Sequence, residues 1–342
     1  MSPRAAFPRS GARIVLFPAL VPTLVLTSGL WPVRDGQEDA RPLLSTPAPA
    51  VALRPSSVVG LESYGCASCH AEVTAEWAGS AHGVSWVDEQ YRAALAEKKR
   101  PELCYDCHAP EPLLAGPLAR PETREEKREL GIHCESCHQD AGGAVLGPRG
   151  TAVDAHVSKN SEHMAAPGSN ELCSACHATN IGPVIGVAKD FASAKMAERG
   201  LSCVGCHMAP IARSWASGAP ARTGRSHALQ TPRDPAFLRL AFGRELHTSG
   251  GKSTLVLKNQ AGHRVPGLVG RKLTFRAELL DASGTALEQR ELALDERTYL
   301  PVDGAREIAF THAGASVHLV GVHAEPRASA PVTFLDETLP AK

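Results

Sequence analysis

All ten cysteines of the chain lie in five copies of one unit, Cys-x-x-Cys-His: "CASCH" at Cys66, Cys69 and His70, "CYDCH" at Cys104, Cys107 and His108, "CESCH" at Cys134, Cys137 and His138, "CSACH" at Cys173, Cys176 and His177, and "CVGCH" at Cys203, Cys206 and His207. Random order at this composition would give roughly one hundredth of such a unit. On a helix, positions i, i+3 and i+4 share one face, so two thiols and an imidazole point the same way. Two thiols can then bond the two vinyl groups of a haem edge while the histidine reaches the iron, which is covalent c-type haem attachment. Structural zinc pairs two knuckles into four ligands, so five units would leave one over and the trailing histidine without a role. Disulfides within C-x-x-C would staple no long loops, and a thioredoxin-type pair needs one motif in a βαβ setting. The expected cofactor is therefore haem c, five per chain, with His70, His108, His138, His177 and His207 as proximal ligands.

That reading dictates the fold. Only 142 residues run from Cys66 to His207, and aromatic residues make up 5% of the chain, so the macrocycles must be the core, wrapped by short helices and long connections. Helices are expected at 69–78, 89–99 and 122–130, and at 235–242 after Asp234. First cysteines are separated by 38, 30, 39 and 30 residues, an alternation that points to haem pairs. From about Gly250 the texture changes to alternating apolar residues and turns, "STLVLKN", "KLTFRAELLDASG", "REIAFTH" and "ASVHLVGVHAE", with "DASG" as a hairpin turn. About six strands suggest a small antiparallel sandwich. The expected class is α+β, a loop-rich, mainly α cytochrome domain at 60–245 followed by a β-sandwich at 246–342.

Ahead of these, Arg4, Arg9 and Arg13 precede an apolar run from Ile14 to Trp31. This layout is an export signal, cleaved or retained as an anchor, over residues 1–31. A proline- and alanine-rich tether follows at 32–59. An exported, periplasmic location agrees with haem chemistry completed after translocation. Lysine plus arginine (36) balances aspartate plus glutamate (36), and no basic stripe interleaves with aromatics, which removes nucleic acid as a partner.

Ten histidines remain for the second axial positions, against four methionines, so histidine is the expected distal ligand. The segment "CASCHAEVTAEWAGSAHGVSW" resembles the opening of the multihaem cytochromes grouped as cytochrome c-552/4 (cytochrome c554-like), in which Trp-x-x-Ser-x-His follows a haem motif. The pattern falls on Trp77, Ser80 and His82, and the resemblance implies that His82 is a distal ligand. "GIHCESCH", "SNELCSACHATN" and "GLSCVGCHMAP" extend the likeness over residues 60–270. It further implies ligand roles for His156, ahead of the fourth motif, and His227, after the fifth. His263, in "NQAGHRVPG", is either a solvent-facing loop residue or a ligand. The family's recurring Gly-His-x-x-Pro implies the latter, delivered by the β domain. The fifth distal ligand stays open between His133, His163 and none. His312, His318 and His323 read as surface residues of the β region.

The leading functional expectation is electron transfer between respiratory redox partners, either other redox proteins or a membrane-bound quinol-linked complex, with a tether to the membrane through the N-terminus if the anchor is retained. The alternative is an oxidoreductase acting on a small nitrogen or sulfur species at a five-coordinate haem. Pentahaem nitrite reductases carry lysine in place of histidine at the catalytic motif, and all five motifs here end in histidine, so no catalytic residue is assigned.

Overall fold

The computed structural model describes residues 65–116, 118, 121–150, 153–165, 168–326 and 330–342. The expected signal or anchor and its tether lie outside these. In chain order the cysteine-rich half contains α1 (Ala71–Ala78), α2 (Glu89–Ala96), α3 (Glu102–His108), α4 (Cys134–His138), β1 (Val145–Gly147), β2 (Ser158–Asn160), α5 (Ser169–His177), α6 (Val187–Ser193), α7 (Cys203–His207), a hairpin of β3 (Pro210–Ser214) and β4 (Ala221–Arg225), and α8 (Pro235–Arg239). Four motifs are helical, and each of these helices ends on its histidine. The first motif is a 3-10 turn, Gly65–Ser68, and His70 starts α1.

Helices α4 and α7 span only five residues each, too short to form unaided. Side-chain caps compensate: His133 Nδ1 accepts from Ser136 N at 3.1 Å, and Ser202 Oγ accepts from Gly205 N at 3.0 Å. Residues 122–130 do not form the expected helix, beyond one 3-10 turn at Arg128–Leu130. The cause is Arg124, a buried residue whose guanidinium donates to the carbonyls of Pro110, Glu126, Lys127 and Gly131. Wrapping backbone around one cation satisfies those carbonyls outside a helix, and Lys127 takes a left-handed φ of 52°.

Apolar burial is lopsided. The first half holds a small cluster of Trp77, Ala78, Val84 and Leu130, whereas the large core lies wholly within residues 238–335. A half so poor in apolar core needs another filling, in keeping with cofactors as its centre.

The second half is a sandwich of seven strands rather than six: β5 (Phe242–Ser249), β6 (Lys252–Asn259), β7 (Lys272–Leu280), β8 (Ala286–Leu294), β9 (Ala305–Ala309), β10 (Ser316–Ala324) and β11 (Val332–Pro340). One antiparallel sheet has the order β11-β10-β7-β8, the other β5-β6-β9. Alternate residues point inward, Leu255 and Leu257 from β6 against Phe275, Ala277 and Leu279 from β7 and Val317 and Leu319 from β10. The "DASG" turn joins β7 to β8, with Asp281 Oδ1 accepting from Ser283 N and Thr285 N. No helix among the described residues is long and apolar enough to cross a membrane.

His312 and His318 are exposed partners of Glu288 and Asp336, as expected of surface residues. His323 is not: it is 3% exposed, because β10 directs it inward beneath Arg271 and the Pro232 carbonyl. Burial first, then the positive charge of Arg271, pulls its pKa from 6.5 down to about 4. The unfolded chain therefore takes up this proton before the folded one does, so the neutral ring's contribution is complete above pH 6.5 and is lost as pH falls toward 4. His323→Gln should flatten the stability profile across that window by on the order of 2 kcal/mol, read from denaturant unfolding at pH 7 and pH 4.5.

Candidate metal centres

Four of the five motif histidines are seated by Nδ1 before anything is asked of Nε2. His70 Nδ1 meets Trp215 O at 2.5 Å, His108 meets Ser85 O at 2.8 Å, His138 meets Leu146 O at 2.7 Å and His207 meets Gln230 O at 2.7 Å. With a carbonyl as acceptor Nδ1 must carry the proton, which leaves the Nε2 lone pair for a metal and raises its basicity.

Four motif rings then face a second histidine. Ring centres are 6.5 Å apart for His70 and His156, 6.1 Å for His82 and His177, 6.0 Å for His138 and His227, and 6.2 Å for His207 and His263. A metal–imidazole bond of about 2 Å on each side, with about 1 Å from each nitrogen to its ring centre, sums to about 6 Å. The gaps fit one iron between each pair. The ten cysteines are thiols rather than disulfides, as thioether attachment requires.

The opposing rings are seated as well. His227 Nδ1 lies 3.0 Å from Arg225 O, His263 Nδ1 2.8 Å from Arg264 O and His156 Nδ1 3.0 Å from Ser158 Oγ. Burial drives the pKa of His82 to about 3 and that of His227 to about 4, so both rings are neutral and able to ligate. Trp77 and Ser80 build the turn that carries His82. The Trp77 indole donates to Ile132 O at 2.7 Å, Ser80 Oγ donates to Trp77 O at 2.7 Å, and Gly83 N donates back to Ser80 Oγ at 3.2 Å.

His263 projects from the loop between β6 and β7 into the cysteine-rich half. The buried Asn259 amide donates to the carbonyls of His263, Leu300 and Pro301 at 2.9–3.1 Å. Arg264 makes two guanidinium bonds, at 2.6 and 2.9 Å, to Asp190 on α6. Gly262 and Gly267 are small because α6 abuts the loop: a Cβ would lie 2.9 Å from the Phe191 ring or 2.7 Å from Val187 Cγ1.

His108 is different. All fifteen histidines lie among the described residues, and no histidine ring faces that of His108. Its ring stacks instead on Tyr91, at 3.7 Å and 6°. Of the two candidates for its partner, His133 is a buried helix cap with Nε2 3.4 Å from Glu135, not a solvated residue, and His163 rests 3.7 Å from Glu171 beside α5.

The motifs are not strung in chain order. The Cys173 thiol lies within hydrogen-bonding reach of that of Cys203, and the Cys176 thiol of that of Cys107, while Cys137 lies close enough to raise the pKa of both. His82 feels His177, His207, His108 and His227, and His138 feels His70. The fourth motif thus lies beside the second, third and fifth, and the first lies beside the third. Cys203 is tied to α5 by its N–H, donated to Asn170 Oδ1 at 2.8 Å.

Residues 65–139 and 149–208 match the family model described as cytochrome c554 and c-prime. The chain carries a multihaem c-type cytochrome domain of this family. Haem c is accordingly its cofactor, and haem-based electron transfer its role. The fold is similar to that of a penta-heme cytochrome c552 from Thermochromatium tepidum, at 18% identity and a TM-score of 0.58, over 83% of this chain and 100% of that one. That span exceeds the cysteine-rich half, so the likeness reaches into the β-sandwich. No curated protein sequence is significantly similar to the chain.

Proposed function

We propose that the protein is an exported pentahaem cytochrome that relays electrons between respiratory redox partners. Four haems are held by His70/His156, His82/His177, His138/His227 and His207/His263, and the fifth by His108. A bound haem supplies a one-electron couple at each site, and two imidazoles hold the potential below that of a histidine–methionine pair. The chain's part is to fix both rings of three of these pairs by their Nδ1 atoms, to hold His82 on the Trp77–Ser80 turn, and to keep neighbouring sites close so that electrons pass between them. The observation that carries this reading is the set of four facing histidine pairs at 6.0–6.5 Å. Export is supported by the basic then apolar N-terminus, and the partners are other redox proteins or a membrane-bound quinol-linked complex. Haem quantitation with EPR of the oxidised holoprotein tests it. Five haems per chain with four six-coordinate, low-spin signals are expected, and fewer than four would refute the ligand scheme.

The absence of a facing histidine at His108 favours a second reading, reduction of a small nitrogen or sulfur species at a five-coordinate haem. Carbon monoxide should then bind the reduced protein once per chain, and the oxidised protein should show one high-spin signal that nitrite or hydroxylamine perturbs. A fifth low-spin signal and no carbon monoxide binding would leave the carrier alone.

A further inference from the structure

We propose that Glu76 and Arg213 are positioning residues that lock the β3–β4 hairpin onto the first motif and thereby set two haem sites together, those of His70 and His138. The proposal rests on the ligand pairs above and assigns roles to two residues outside them.

Glu76 lies on α1, the helix that His70 begins. Arg213, 137 residues later, closes a two-pronged bond onto it, Nη1 to Oε1 at 2.7 Å and Nη2 to Oε2 at 2.9 Å. Glu72, one turn earlier on the same face, adds a longer contact at 3.8 Å. Glu76 Oε2 also accepts the backbone N–H of His227 at 2.7 Å. One carboxylate therefore holds the hairpin and the ring that faces His138.

The hairpin grips the first site at two further points. Trp215 O takes the Nδ1–H of His70, and Ser217 N donates to Cys69 O at 2.8 Å. Trp215 is held by Arg213, whose guanidinium sits 4.5 Å from the ring centre, and by its own indole bond to Arg222 O at 2.7 Å. The edge of that ring meets His227, centres 6.4 Å apart. Displacing Arg213 thus moves the acceptor of His70 and the neighbour of His227 at once.

The pair is costly to build for strength alone. Arg213 is 11% and Glu76 21% exposed, and burying two charges forfeits much of what their attraction returns. The geometric return is large, because a planar, bidentate pair with a third bond to His227 N admits one register of the hairpin. Register is what the two sites share, since the angle between the His138 and His227 rings, 34°, and the hydrogen bond on His70 both follow from it.

The test is haem-resolved redox titration and EPR of holoprotein carrying Glu76→Ala, Glu76→Gln or Arg213→Lys. His156→Met and His227→Met serve as markers that identify the two sites' signals. Glu76→Ala should shift both marked potentials and both marked g-tensors while the His82/His177 and His207/His263 signals stay in place. Glu76→Gln keeps an acceptor for His227 N, so the His138/His227 g-tensor should return toward wild type. If Glu76→Ala yields no holoprotein, Arg213→Lys decides, and it is expected to move the same two potentials and no others. Marked signals that do not move, or four signals that move equally, overturn the proposal. A marker variant that changes no signal overturns the ligand scheme beneath it, so the two failures are distinguishable.

Discussion

Replacing His263 by alanine is expected to convert one haem, that of His207, from six-coordinate low-spin to five-coordinate high-spin while leaving the other low-spin signals in place. The expectation follows from the 6.2 Å separation of the two rings and from the rigidity of the loop. Asn259 fixes the His263 carbonyl and Arg264 fixes the next residue to Asp190, so the loop cannot swing a neighbouring group into the vacated position. The effect should be confined to one site, because His263 comes from the β-sandwich and the other facing histidines do not. Alanine leaves these anchors intact, and the sandwich should keep its stability. Loss of one EPR low-spin component, with a matching gain in high-spin intensity and a rise in that haem's potential, would establish the loop as a clamp between the two halves. An unchanged low-spin spectrum would reduce His263 to a buried loop residue and remove the β-sandwich from the haem machinery.

Much of the site is legible in the sequence because its chemistry is local. A thiol, a thiol and an imidazole within five residues must share a face if they bind one macrocycle, so the motifs declare themselves. The strands of the sandwich are legible for a similar reason, since apolar residues recur at alternate, inward positions, as at Leu255 and Leu257 of β6, Phe275, Ala277 and Leu279 of β7, and Val317 and Leu319 of β10. The features that local pattern misses are set by long-range contacts. The stretch at 122–130 has helical composition, yet the Arg124 guanidinium gathers four carbonyls and stops the helix. His323 is a polar residue in an apolar strand, and it faces inward toward Arg271. Glu76, Arg213 and Trp215 carry no local signal because each acts on residues more than 130 positions away. Which histidine faces which motif is likewise a matter of tertiary structure. His82 follows the first motif yet faces the fourth, and His227 follows the fifth yet faces the third.

That crossed pairing makes the fourth site the one whose loss should most disrupt electron flow. Its cysteines lie within hydrogen-bonding reach of Cys107 and Cys203, with Cys137 nearby, and the ring that faces its histidine is within electrostatic reach of histidines from three other sites. If the haems were wired in chain order, removing any interior one would cut the relay equally. With the fourth as a junction, removing the second takes away one branch, whereas removing the fourth takes away the site that lies beside the second, third and fifth at once. Cys173→Ala with Cys176→Ala should therefore slow electron equilibration among the remaining haems by more than an order of magnitude, as read by flash reduction and multi-wavelength kinetics. The same pair of changes at Cys104 and Cys107 should leave equilibration among the other four near wild type. Because a missing macrocycle also empties the core, His82→Met supplies a second measurement in which the fourth haem stays bound. Methionine opposite His177 raises that haem's potential, so the junction becomes an electron trap. The first electron of a reductive titration should then settle at this haem, and transfer onward from it should slow. Equal sensitivity to loss of the second and fourth haems, or unhindered passage through the His82→Met protein, would restore a linear relay.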